Sequence, residues 1–74
     1  MSRLIRMDQT GHTTVAEWEV DDPASTRAAV ATFEQELQDG CIAVVSEGEG
    51  RARQVRELPL GEPLVILRRA ISGG

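Results

Sequence analysis

One stretch of this chain, Ala24 to Gln38, carries apolar residues at helical spacing, and the segments on either side of it are patterned for strands. Ala29, Val30, Phe33 and Leu37 recur three and four residues apart, which gathers them into one stripe and leaves Arg27, Glu34, Gln35 and Gln38 for solvent. Both ends carry stop signals. Asp22 can accept from the free N–H groups of the first turn, Pro23 at the first helical position forfeits no hydrogen bond, and Gly40 tolerates the left-handed backbone that ends a helix. A single helix covers only one face of a sheet, so the expected architecture is α+β with two layers.

The flanking segments supply the sheet. A short strand around Leu4-Ile5, a turn at Asp8-Gln9-Thr10-Gly11 and a second strand from Thr13 to Val20 read as a hairpin. In the second strand the two-residue period puts Thr14, Ala16, Trp18 and Val20 on one face and Val15, Glu17 and Glu19 on the other. After the helix, Cys41-Ile42-Ala43-Val44-Val45 reads as a buried strand, and Glu47-Gly48-Glu49-Gly50 as a turn. Arg51 to Leu58 is polar, as an edge strand is. Pro59-Leu60-Gly61-Glu62-Pro63 breaks the chain before Leu64-Val65-Ile66-Leu67, the most continuously apolar run, which belongs at the centre of the sheet and continues through Ile71. The order is ββαβββ. Its expected core is Leu4 or Ile5, Trp18, Val20, Val30, Phe33, Leu37, Ile42, Val44, and Val65 or Leu67.

Seventy-four residues suffice for one domain and one minimal core. Cys41 is the only cysteine and His12 the only histidine, so neither an intrachain disulfide nor a four-ligand zinc site of the usual Cys/His kind can form, and no metal or cofactor is expected. Charges interleave with the apolar residues of Met1 to Met7, unlike a signal peptide, and no run approaches the roughly 18 apolar residues that span a bilayer. The expectation is a cytoplasmic monomer without a membrane partner. A net charge of −4 also argues against nucleic acid and favours a protein partner with a basic surface. All eight basic residues are arginine and lysine is absent. Codon bias explains that, and so would a protein whose activated C-terminus must avoid its own amines.

The pattern resembles ubiquitin and its bacterial relatives over most of the chain. The residues that carry the likeness are the strand opening at Met1, the Thr10-Gly11 turn, the second strand ending Glu19-Val20, the acidic helix start, and Leu64-Val65-Ile66-Leu67-Arg68-Arg69 leading to Gly73-Gly74. The resemblance implies a β-grasp (ubiquitin-like) domain over residues 1–71, with the first and last strands parallel at its centre, and a flexible tail over 72–74. It further implies a small protein modifier or sulfur carrier, not an enzyme, whose Gly74 carboxylate is adenylated by an activating enzyme. Glycines at 73 and 74 would suit a narrow channel, since no Cβ obstructs the approach to the α-phosphate. Ile71 and the position of the arginines depart from ubiquitin, as does the hairpin through Glu47-Gly48-Glu49-Gly50. Without lysine, chains of the ubiquitin kind cannot be built, so any attachment is single. The alternative is a non-conjugated β-grasp interaction module or a subunit of a larger assembly.

Other residues offer less. Glu47-Gly48-Glu49-Gly50 lacks the lysine and Ser/Thr of a phosphate loop, and its carboxylates would repel phosphate. His12 sits in a turn with no nucleophile or base beside it, Cys41 reads as a small core residue, and Trp18 as core rather than a binding anchor. The sheet face turned from the helix is the more informative surface. If Val65 and Leu67 point inward, Leu64 and Ile66 point outward beside Cys41, Ala43 and Val45, and with Arg68 and Arg69 they would meet a partner. A shift of one residue in phase exchanges the two faces.

Overall fold

The structure, a computed structural model, describes residues 1–69, so Ile71, the expected 72–74 tail and Gly73-Gly74 lie outside the described residues. The elements are β1 (Ser2–Asp8), β2 (Gly11–Trp18), α1 (Pro23–Gln38), β3 (Cys41–Gly48), β4 (Arg51–Val55) and β5 (Leu64–Arg69). They form a five-stranded sheet in the order β2-β1-β5-β3-β4, in which β1 and β5 are parallel and every other pair is antiparallel. With one helix on a mixed sheet, this is the expected β-grasp layout.

Local chemistry explains where each element starts and stops. Asp8 Oδ1 accepts from the Thr10 backbone N–H at 2.9 Å and from its hydroxyl at 2.6 Å, which closes the β1–β2 turn. Asp22 caps α1 by accepting from the Ala24 N–H at 3.1 Å, with Pro23 in the first turn as expected. At the other end Asp39 and Gly40 donate to Gln35 and Leu37, and Gly40 has φ 101°, a conformation that favours glycine. The chain then drops directly into β3.

Leu4, Trp18, Phe33, Val45, Val65 and Leu67 are the largest fully buried side chains, joined by Ala29 and Ala43 between helix and sheet. Trp18 is core, as its sequence position suggested. Its indole N–H donates to the Leu60 carbonyl at 3.0 Å, which ties the 56–63 segment across the end of the core. Leu58 and Leu60 of that segment pack against the core, and Arg3 donates to the Pro63 carbonyl at 3.0 Å.

Four expectations are corrected. Val20 is 64% exposed, because β2 ends at Trp18 and the chain has already turned toward the helix cap. Val15 packs against the core beside Ala16, because a bulge opposite Leu4/Ile5 inserts one extra residue and moves Thr14 into register with Ile5. In β3 the phase is reversed: Cys41, Ala43 and Val45 are buried, while Ile42 and Val44 are half-buried on the other face. An all-apolar strand carries no polar residue to set its phase, and here the turn at Gly40 delivers Cys41 to the helix side. Finally, β4 ends at Val55 rather than Leu58.

Candidate functional site

The sheet face opposite the helix is built by alternation, and the strand register aligns its residues in rows. Ile5 of β1 lies opposite Ile66 of β5, Ile66 opposite Val44 of β3, and Val44 opposite Gln54 of β4. A second row joins Met7, Arg68 and Ile42, and a third begins with Arg3 and Leu64. Neighbouring strands stand about 4.8 Å apart and rows about 7 Å apart, so the apolar residues cover a field roughly 10 Å by 14 Å. Ile5, Ile42, Val44 and Ile66 are half-buried by their neighbours, whereas Met7 and Leu64 are 40% and 42% exposed. Helix packing cannot cover this face, since α1 lies on the other one.

The charge on this face runs opposite to that of the chain. Arg3 stands beside Leu64, Arg68 lies between Met7 and Ile42 in the middle of its row, and Arg51 lines a shallow depression with Val44, Ile66 and Arg68. Glu17, opposite Arg3, is the strand carboxylate on the same side. The ion pairs among the described residues are Arg6 with Glu36 and Arg53 with Glu47, so Arg3, Arg51 and Arg68 have no carboxylate within 4.0 Å there. A net charge of −4 therefore coexists with a locally basic, apolar-centred sheet face. Such a face suits an apolar partner surface rimmed by carboxylates.

The expected partner-binding residues divide. Leu64, Ile66 and Arg68 lie on this face. Val45 does not: at 0% exposed it packs under the helix, and its place is taken by Val44. Arg69 pairs in register with Cys41, so alternation turns it to the helix side, away from Arg68. Gly73 and Gly74 lie outside the described residues. Ile5, Met7, Ile42, Val44, Arg3 and Arg51 were not foreseen here. Only the parallel β1–β5 register, applied residue by residue, would have found the first two.

The helix side holds a polar cluster with different consequences. Arg6 reaches Glu36 at 3.1 Å, and Cys41 Sγ lies 3.9 Å from the same carboxylate. Burial pushes the Cys41 thiol up, and the Glu36 carboxylate adds to the shift, which disfavours the nucleophilic thiolate. Among the described residues no cluster of His, Cys, Asp and Glu could hold a metal ion, and no helix is long and apolar enough to cross a membrane. His12 is exposed on β2 opposite Met7. No family model, no curated protein and no solved structure matches the chain, so the fold assignment rests on its topology.

Proposed function

We propose that this chain is a ubiquitin-like modifier or sulfur carrier, a substrate of an adenylating enzyme rather than an enzyme, docked through its outer sheet face and loaded at Gly74. The observation that supports this most is the double position of β5. Ile66 and Arg68 sit at the middle of the apolar, arginine-bearing face, and the sequence runs on from Arg69 to Gly73-Gly74 within residues 70–74. Five residues span at most roughly 16 to 18 Å, so an enzyme holding the face has the Gly74 carboxylate within reach of the same active site.

The chemistry is acyl activation. A Gly74 carboxylate oxygen attacks the α-phosphorus of ATP and pyrophosphate leaves; a thiol or sulfide then attacks the acyl carbon and AMP leaves. Glycines lower the steric cost of threading the tail, and Arg68 pairs with acidic residues of the enzyme. A second reading has its own support: Ile5, Ile66 and Val44 make a docking face without the tail, as a non-conjugated interaction module would need.

Incubation of the full chain with host lysate and ATP, followed by mass spectrometry of its C-terminal peptide, separates the two. A Gly74 adduct or thiocarboxylate that disappears when Gly73 and Gly74 are deleted supports the carrier. Absence of any adduct, with partners retained by the deletion variant, leaves only the interaction module.

A further inference from the structure

β4 is the last strand on its side of the sheet, so one edge of Arg51–Val55 presents backbone N–H and C=O groups that no other strand of the described residues meets. Such an edge can accept another strand, and proteins restrict which one by the charges they place there. Here Arg51 and Arg53 lie on the strand and Arg56 just beyond it, all three exposed. Arg53 is held by Glu47, while Arg51 and Arg56 have no carboxylate within 4.0 Å among the described residues. Antiparallel pairing with β4 of a second copy, centred on Arg53, would set arginine against arginine, which is destabilising. The opposite edge, β2, is interrupted by its bulge and makes a poor flat partner. An acidic strand from elsewhere is attracted by the same arginines that repel a copy.

The surface beyond the edge adds a second element of selection. Val55, Leu58 and Pro59 line a depression alongside β4, and Leu58 also meets Val30 and Phe33 of α1 in an adjoining one. A strand laid on β4 has every second side chain turned toward this ground, where Val55, Leu58 and Pro59 lie among Arg53, Gln54, Arg56 and Glu57. Glu34 and Glu57 border it, so carboxylates are favoured along Arg51 and Arg56 and apolar groups in the depression.

We propose that the free edge of β4 is a β-augmentation site for an extended segment of another protein in which apolar and acidic residues alternate. Main-chain hydrogen bonds to β4 hold the segment, Arg51 and Arg56 meet its carboxylates, and the half-buried Leu58 and Val30 take its apolar side chains. This surface adjoins the outer sheet face at Arg51 and does not depend on Gly74.

The test is an NMR titration of the isotope-labelled full chain with a capped peptide of about nine residues alternating valine and glutamate, long enough to cover the five residues of β4 with both flanks. Expected are amide shifts and slowed hydrogen exchange over 51–55, with methyl shifts at Val30 and Leu58. Affinity should fall with added salt, and at least about tenfold in the Arg51→Glu, Arg56→Glu double variant, both changes being at exposed positions. Equal binding of an alternating valine–lysine peptide would overturn the proposal. So would shifts confined to Ile42, Val44 and Ile66, no shift at about millimolar peptide, or concentration-dependent β4 shifts without peptide, which would make a second copy the occupant.

Discussion

The assignment of faces rests on the phase of β3, and alanine substitution at two adjacent positions tests it. Val45 is 0% exposed beneath the helix, whereas Val44 is half-buried on the outer face. Val→Ala removes two methyl groups. At Val45 the transfer loss is about 0.8 kcal/mol for each, or about 1.6 kcal/mol. A rigid site also keeps a cavity of roughly 40 Å³, worth about 1 kcal/mol more. At Val44 about half the transfer loss applies and solvent fills the space, giving about 0.8 kcal/mol or less. For a domain of this size about 2.6 kcal/mol lowers Tm by roughly 10 to 20 °C and 0.8 kcal/mol by roughly 3 to 6 °C. Urea unfolding followed through Trp18, the only tryptophan, gives both free energies in one assay. Equal losses, or a larger loss at Val44, would refute the phase and with it the outer face described above.

Three other outcomes follow from single contacts. Trp18→Phe leaves the Leu60 carbonyl without its indole donor and a slot in the core, and should cost about 2 kcal/mol, with faster hydrogen exchange over 59–62, by circular dichroism and NMR. Cys41 should resist alkylation until the protein unfolds. Its thiol pKa is raised in the fold, so the stability it supports is complete below the unfolded value of about 8.5 and is lost as pH rises through the folded one. With no lysine or tyrosine titrating there, Cys41→Ala should flatten that alkaline loss in pH-dependent unfolding. Asp8 is held below its ordinary value, first by the Thr10 hydroxyl and then by the Thr10 N–H, so its contribution is present above about 3.9 and lost as pH falls through the folded pKa. Thr10→Ala should move the Asp8 carboxyl titration upward in NMR.

How much of this was legible in the residues depended on how strongly each segment punctuates itself. The helix announces both ends, through Asp22-Pro23 and Gly40, and its limits matched closely. In β5 the residues left two phases open, and the structure takes the one with Val65 and Leu67 inward and Leu64 and Ile66 outward, whereas β3 has the phase opposite to the expected core of Ile42 and Val44. Five consecutive apolar residues fit either face, and only the three-dimensional turn at Gly40 decides between them. The β2 bulge left no residue signal either, since Thr14, Val15 and Ala16 all tolerate a strand on either side. Hence Leu64, Ile66 and Arg68 were found on the candidate face, while Val45 was misplaced. Arg3 came to it only through register, and Arg51 only through the depression it lines with Val44 and Ile66.

The most direct test is mass spectrometry of the protein recovered from its own host, reading the state of its C-terminal peptide. The carrier account predicts a fraction ending at Gly74 as a thiocarboxylate or joined through Gly74 to an acceptor, and predicts that Ile66→Asp, on the outer face, lowers that fraction while the fold persists. A chain found only with a free Gly74 carboxylate in every condition, or continuing past Gly74, would contradict it.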